Sequence, residues 1–160
     1  MYFIINSELI FKMGEGNVIS VNVSKAKGTK KEPIEFAEVT KNFGINSDSH
    51  AGKWHRQVSL LAVESIEKTR KWGLNVNAGD FAENITTKGI NLPTLPTGTR
   101  IKISDVVLEV TQIGKTCHDK CEIFKKVGKC IMSTEGIFTK VIKGGIIKKG
   151  DEILIEKQNF

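Results

Sequence analysis

Short segments in which apolar, often β-branched residues alternate with polar ones recur along the chain, and they predict strands. They lie at residues 17–23, 35–40, 100–103, 106–113, 136–142 and 151–156. Branched side chains favour strands because they pack well on a pleated, half-buried surface. The clearest prediction is the pair 100–103 and 106–113, because the polar Ser104 and Asp105 between them are typical of a hairpin turn.

A different, helical periodicity marks residues 62–72 (AVESIEKTRKW). It places Val63 and Ile66 on one side of a helix and most charged side chains on the other. Gly73 predicts the end of this helix, because glycine readily adopts the left-handed conformation found there. Residues 92–98 (LPTLPTG) predict an extended connection without helix, because proline lacks the backbone N–H that a helix interior needs.

Many short strands, Gly-rich turns and one clear helix predict a mainly β protein. The expected architecture is a closed or partly closed β-barrel with a few short helices. The sequence shows neither an internal repeat nor an interdomain linker, so a single domain is predicted over residues 1–160, with its core at about 17–156. A chain of 160 residues can bury a core of useful size without disulfide bonds.

Charge narrows the choice of partner. The chain has 24 Lys and Arg against 18 Asp and Glu, a net charge of +6, which predicts an anionic partner such as nucleic acid, a phosphorylated small molecule or a membrane surface.

No apolar run reaches the roughly 20 residues that span a bilayer. Residues 1–13 lack the features of a secretory signal, and three cysteines are an odd number. We therefore expect reduced thiols and a cytoplasmic protein.

Two of the cysteines lie in a polar, basic stretch, GKTCHDKC at residues 114–121. Neighbouring cations favour the thiolate, so Cys117 is a candidate nucleophile, sulfur carrier or ligand for a soft metal. The alternative, an inert buried thiol, has about equal weight. The spacing of Cys117, Cys121 and Cys130 does not form the two close ligand pairs of a structural zinc site, so zinc is a weak candidate.

A second group of ionisable side chains precedes the helix, in residues 44–61. Arg56 is suited to a bidentate grip on phosphate or carboxylate, and Asp48, His50 and His55 lie close to it in sequence. The alternative makes Asp48 a turn residue and leaves both histidines in solvent.

Two further segments are rich in polar or charged side chains. Residues 79–87 hold Asp80, Glu83 and Asn84, which offer hydrogen bonds to an amide-like or pterin-like ring edge, although a turn entering a strand explains them nearly as well. The basic run 24–31 predicts a solvated loop. Aromatic residues do not interleave with its lysines, so base stacking on single-stranded nucleic acid is not supported.

Taken in order, these segments resemble the MOSC family, the domain named after the C-terminal part of molybdenum-cofactor sulfurase, and in particular its small stand-alone bacterial members. The matching pieces are VNVSKAKGTKK, SDSHAGKWHRQVSLLAVESIE, GDFAENITTKGINL, LPTGTRIKISDVVLEVTQIGKTCHDKC and MSTEGIFTKVIKGGIIKKGDEI, roughly residues 17–156. The combination of HAG, RQVSLL, ENITT and GKTC is specific. The chain has Ser47 and Ser104 where the family commonly has glycine.

The resemblance implies a barrel-like β domain that binds or handles the molybdenum cofactor, a pterin with a phosphate and a dithiolene. It implies that Cys117 ligates molybdenum or carries a persulfide sulfur, with Cys121 as a close second. It further implies phosphate contacts from Ser24, Lys25 and Arg56, and a place nearer the pterin for Asp48, His50 and Asn84.

Three functions follow in order of preference. The first is binding and handling of the cofactor, in delivery to apo-molybdoenzymes, in work with molybdopterin-biosynthesis enzymes, or in a molybdenum-dependent reduction that needs an electron donor. The second is a persulfide carrier supplied by a separate cysteine desulfurase, since a pyridoxal-phosphate domain does not fit beside the barrel in this chain. The third is a basic nucleic-acid-binding barrel, disfavoured by an aromatic content of 7%. Whether the chain is itself an enzyme stays open.

Overall fold

The structure is a computed structural model. It describes the backbone of residues 2–5, 9–115 and 130–156, and the side chains of residues 15–115 and 130–156. The strands are β1 Tyr2–Ile5, β2 Leu9–Val23, β3 Glu32–Ile34, β4 Phe36–Thr40, β5 Gly44–Ile45, β6 Val58–Ala62, β7 Ile85–Lys88, β8 Arg100–Ile103, β9 Val106–Ile113, β10 Ile137–Lys143, β11 Gly145–Lys148 and β12 Glu152–Glu156. The helices are α1 Val63–Arg70, a 3-10 turn at Leu92–Thr94 and α2 Met132–Glu135.

Seven strands close into a barrel, in the order β2-β12-β8-β9-β10-β6-β7, with β7 pairing back onto β2. All of these pairs are antiparallel except β6 with β7, which are parallel and connected through α1. Closure pairs the edges that an open sheet would expose. The mainly β, barrel-type fold expected from the sequence is confirmed, in its closed form.

Strand β2 pairs with several partners along its length. It pairs with β1 and β12 in its first half and with β7 and β3 in its second, and the register with β7 shifts between Val18 and Ser20. Such an irregularity bends a strand and increases its twist. The small sheet β11-β4-β5 lies off the barrel path.

Two hydrophobic cores lie on opposite sides of the barrel wall. Leu60 and Ile137 belong to the core inside the barrel, whereas their neighbours Leu61 and Phe138 belong to a second cluster. Successive side chains of a strand point to opposite faces, so the second cluster packs against the outside of β6 and β10. Its other members are Ile66, Leu74, Val76, Phe81, Cys130, Ile131 and Met132.

The alternating segments all became strands, and the helix at 62–72 is confirmed as Val63–Arg70. Strand β6, by contrast, was not predicted from the sequence, because all five of its residues are buried and they show no alternation of apolar and polar positions. Residues 92–98 were expected to contain no helix, and this is wrong because Leu92–Thr94 form a single 3-10 turn. Pro93 is accommodated at an early position of that turn, where its missing N–H costs nothing.

The two serines that replace a common family glycine differ in conformation. Ser104, in the β8–β9 hairpin turn, has a φ of 55°, the left-handed region that glycine adopts without strain. Ser47 is not among the residues with positive φ, so its loop does not need a glycine. Within the ranges that the structure covers, no helix is long and apolar enough to cross a membrane.

Candidate functional site

A pocket of about 420 Å³, part of it open to solvent, lies against the outer face of β6 and β10, beside the second cluster. Its lining residues come from several parts of the chain. These are the loop after β5, strands β6 and β10, the loop before β7, the residues just after β9, and helix α2, which precedes β10. The lining residues are His50, Trp54, Arg56, Ser59, Phe81, Ala82, Asn84, Lys115, Met132 and Phe138. The lining combines aromatic faces with hydrogen-bond donors, which is typical of a small-ligand site.

The guanidinium of Arg56 lies over two aromatic rings. Its Cζ lies 4.7 Å from the ring centroid of Trp54 and 5.6 Å from that of Phe138. Its Nε is buried without a hydrogen-bond partner among the described residues, and none of their carboxylates pairs with it. A fixed guanidinium with unused donors is suited to a carboxylate or phosphate ligand.

The pocket is electropositive. Lys115 lines it beside Arg56, and Nζ of Lys27 lies 5.1 Å from the ring centroid of Trp54. No carboxylate belongs to the part of the lining that the structure describes. An anionic ligand therefore meets only favourable charges there.

A buried network lies behind His50. The Lys31 side chain is fully buried, and its Nζ donates to Oδ1 of Asp48 at 2.7 Å and to Oγ of Ser24 at 3.2 Å. Nζ also lies 2.9 Å from Nδ1 of His50. The ammonium thus has two assigned acceptors and a histidine ring nitrogen within hydrogen-bond distance of its three N–H groups. Burial lowers the pKa of Lys31, and the Asp48 carboxylate opposes that shift.

The Asp48 carboxylate ties the same loops together through the backbone. Oδ1 accepts a hydrogen bond from the Ser24 N–H and Oδ2 accepts one from the His50 N–H, both at 3.0 Å. Burial acts to raise the pKa of Asp48, but the hydrogen bonds from Lys31 and Ser24 and the charge of Lys31 outweigh it, so the net shift is downward. Asp48 is therefore ionised, and its pair with Lys31 is an ion pair.

The His50 imidazole is neutral at physiological pH. Burial and the nearby charge of Lys31 lower its pKa to about 4, with Asp48 opposing the shift and Lys115 and Lys27 adding to it. The carbonyl oxygen of His50 accepts a hydrogen bond from Trp54 Nε1 at 2.8 Å, and the two rings are stacked at 6.3 Å between centroids.

The loop before β7 is fixed by buried hydrogen bonds. Asn84 accepts from both the N–H and the hydroxyl of Ser59 and donates to the Asn22 carbonyl. The fully buried Glu83 carboxylate accepts from the N–H groups of Gly79 and Phe81 and from the Thr86 hydroxyl. Burial raises the pKa of Glu83. These contacts hold Phe81 and Ala82 in the pocket wall, with Ala82 at a φ of 64°.

The structure brings together four of the residues suggested by the sequence. His50, Arg56 and Asn84 line the pocket, and Asp48 lies directly behind His50. Ser24 contacts Asp48 and Lys31 rather than the pocket, and its hydroxyl also donates to the Ala26 carbonyl.

Other candidates lie elsewhere. Lys25 is exposed in the turn after β2, and His55 is exposed as well. Asp80 accepts a hydrogen bond from the Asn77 N–H outside the pocket lining. Cys117 and Cys121 lie outside the described residues, among which no cluster of His, Cys, Asp and Glu could hold a metal ion.

Sequence reasoning missed two functional candidates. Lys31 was expected in a solvated loop, and that expectation is wrong because two other loops close over it. Trp54, which contacts Arg56 and His50, was not singled out. A tryptophan within a polar, charged segment was the available signal for it.

The fold and the pocket define a small β-barrel protein with a cationic, aromatic-lined site on the outside of its wall. The chain belongs to the MOSC domain family, whose profile matches residues 47–154. The resemblance predicted from the sequence motifs is thus confirmed. No curated protein matched the sequence.

Solved structures with the same fold share little sequence with this chain. The YuaD protein of Bacillus subtilis is 18% identical, with 93% of this chain and 100% of that chain covered and a TM-score of 0.76. YiiM of Geobacillus stearothermophilus is 19% identical, with coverage of 89% and 75% and a TM-score of 0.63. YiiM of Escherichia coli is 16% identical, with coverage of 89% and 71% and a TM-score of 0.61. At these identities the likeness establishes the fold alone.

Acid should destabilise the protein through His50. The pKa of this histidine is 6.5 in the unfolded chain and about 4 in the folded protein. Between these pH values the unfolded state therefore binds more protons than the folded state. Stability is therefore lost as the pH falls from 6.5 to 4. The difference corresponds to at most about 3 kcal/mol, and we expect about 2 kcal/mol because the side chain is 23% exposed.

Urea denaturation at a series of pH values measures this dependence. His50→Gln should flatten the curve over the stated window, whereas Lys53→Gln, at an exposed position of the same loop, should leave its slope unchanged. An equal slope in wild type and His50→Gln would contradict the assignment.

A second test concerns the close approach of Gly79 to Lys31. A Cβ at Gly79 would lie 2.1 Å from the Lys31 carbonyl oxygen, at a φ of +90°, whereas Gly98 has a φ of +91° and nothing within 4 Å. Gly98→Ala should cost about 1 kcal/mol from the backbone alone. Gly79→Ala should cost about 2–3 kcal/mol, because the Lys31 backbone must also move. Equal losses in urea denaturation would show that the contact is not tight.

Proposed function

We propose that this chain binds or handles the molybdenum cofactor, and that the pocket on the outer barrel wall is its binding site. The observation that carries the proposal is Arg56, whose guanidinium contacts two aromatic rings and whose buried Nε has no hydrogen-bond partner among the described residues. A polar atom that is buried without a partner is costly, so a ligand that accepts its hydrogen bond is expected. Membership of the MOSC family supports the molybdenum cofactor as that ligand.

The residues present fit a phosphate-bearing pterin. Arg56 and Lys115 would hold the phosphate, while Trp54 and Phe138 offer apolar surface to a planar ring system. His50 and Asn84 would contact the pterin edge. Lys25, exposed in the turn after β2 and outside the pocket lining, would add long-range attraction rather than a direct contact.

The proposed molybdenum ligand is Cys117, which follows Lys115 by two residues along the chain. Thiolate sulfur is a soft donor of the kind that thiophilic metals prefer. Bound there, the cofactor would supply a redox centre. The chain's own contribution would be to bind the phosphate and to exclude water with its aromatic walls.

Metal and pterin analysis tests the proposal. The protein is purified from cells able to make the cofactor, and molybdenum and oxidised pterin are measured per chain. We expect both in wild type, loss of molybdenum in Cys117→Ser, and retention of both in the matched variant Cys121→Ser. Background levels of both in wild type would refute the proposal.

The same samples distinguish the sulfur-carrier alternative. After incubation with a cysteine desulfurase and cysteine, intact mass reports any adduct of about 32 Da, the mass of one sulfur. If the protein contains neither molybdenum nor pterin but forms an adduct that depends on Cys117, the result would refute cofactor binding and support persulfide transfer. Loss of molybdenum in Cys121→Ser rather than in Cys117→Ser would identify Cys121, and not Cys117, as the molybdenum ligand.

A further inference from the structure

The two ring nitrogens of His50 have different surroundings. Nδ1 lies 2.9 Å from Lys31 Nζ, deep in the buried network. Nε2 has no hydrogen-bond partner within the described part of the chain, and His50 lines the pocket together with Arg56 and Lys115. The nitrogen left for a ligand is therefore Nε2.

The other contacts of Lys31 decide the direction of its hydrogen bond to His50. An ammonium group has three N–H donors and no acceptor. Two of them meet Asp48 Oδ1 and Ser24 Oγ, and the Asp48 pair keeps the ammonium charged in its buried position. The third can only donate to Nδ1, which must then carry a lone pair. The neutral imidazole consequently has its proton on Nε2.

We propose that Lys31 is a positioning residue for the pocket: by donating to Nδ1 it fixes His50 as the Nε2–H tautomer, so that the imidazole presents a hydrogen-bond donor to the ligand. The tautomer is a property of the chain itself. Only the last step, donation to a bound ligand, rests on the proposed function.

The consequence is selectivity by hydrogen-bond type. Arg56 and Lys115 have donors and no acceptors, and His50 in this tautomer joins them. The polar atoms of a ligand that face these three side chains must then be acceptors, such as phosphate oxygens or unprotonated ring nitrogens. Amines and other cationic groups are disfavoured, because they would find neither an acceptor nor a negative charge in this part of the lining.

Nitrogen NMR of the histidine side chains reads the tautomer directly, in protein purified without cofactor and held at pH 7. The His50 signals are identified by their absence in His50→Gln. In wild type we expect Nδ1 with the chemical shift of an unprotonated nitrogen and Nε2 with that of a protonated one. Protonated Nδ1 in wild type would overturn the proposal.

The test variant is Lys31→Met combined with Asp48→Asn, which removes both charges together and leaves neither buried without its partner. Because a hydrogen bond to a charged group is lost, the population of the Nδ1–H tautomer should rise roughly tenfold or more. Both ring nitrogens should then move towards the average values of exchanging tautomers. Lys30→Met, at the exposed neighbouring position, should keep the wild-type spectrum. Wild-type shifts in the double variant would overturn the proposal.

Cofactor content, measured in parallel on protein from cofactor-producing cells, separates the two claims. We expect the double variant to retain roughly tenfold less pterin than wild type, because its imidazole is no longer a fixed donor. A released tautomer with unchanged pterin would overturn the donation to the ligand. A tautomer that behaves as expected, with no cofactor in wild type, would refute the proposed function and leave the positioning role in place. Cofactor in wild type with an unchanged tautomer would refute only the positioning role.

Discussion

Lys31→Met alone should lower the free energy of unfolding by about 3–5 kcal/mol, the largest loss that we expect from any single side chain in the loops around the pocket. The substitution keeps the apolar stem but leaves the fully buried Asp48 carboxylate without its cation. Urea denaturation at pH 7 measures the loss. Lys30→Met, one residue earlier and exposed, is the matched control and should change stability by no more than about 0.5 kcal/mol.

Two further measurements tie the loss to the unpaired charge. Adding Asp48→Asn to Lys31→Met should recover most of the stability, because the carboxylate that lacked a partner is then neutral. In the single variant, the uncompensated Asp48 should have a raised pKa in the folded state, so the loss relative to wild type should grow as the pH rises above about 4. A double variant as unstable as Lys31→Met would show that packing, and not charge, causes the effect.

The sequence predicted well those elements whose pattern is local. Strands β8 and β9 and their turn at Ser104 match their predicted bounds. Strand β8 alternates because one of its faces is buried, whereas β9 is buried at its first three positions and is marked by its β-branched residues. Strand β6 escaped prediction because it separates the two cores and is buried on both faces. Its run of apolar residues has no period from which a strand can be distinguished from other buried structure.

The site was less predictable because its key contacts connect distant segments. Nothing in the local sequence distinguishes the buried Lys31 from the exposed Lys30. The difference arises because Asp48 lies 17 residues further on and because the Gly79 carbonyl accepts the Lys31 N–H. His50 and Arg56, which line the pocket, were by contrast among the ionisable side chains singled out in residues 44–61, since such residues on loops are often functional.

Arg56→Ala should weaken the proposed cofactor binding at least roughly 100-fold, because charge-assisted hydrogen bonds to phosphate are lost from a side chain whose Nε is buried. Molybdenum and oxidised pterin per chain, measured after extensive dialysis, report the effect. Arg56→Lys should restore little of the binding, since an ammonium can neither form the bidentate contact nor lie flat against Trp54 and Phe138 as a guanidinium does. Lys53→Ala, at an exposed position of the same loop, is the matched control and should bind as wild type does.

Stability distinguishes a binding role of Arg56 from a structural one. Arg56→Ala loses two cation–π contacts, worth about 0.5–1 kcal/mol each, but also removes a buried Nε that has no hydrogen-bond partner among the described residues. These effects oppose each other, so the free energy of unfolding should change by less than about 1 kcal/mol. Loss of cofactor with unchanged stability would mark Arg56 as a ligand contact, since residues that bind ligands are often not optimal for stability. A large loss of stability, with the remaining folded protein binding normally, would instead make Arg56 part of the scaffold and leave the pocket without its principal anion-binding group.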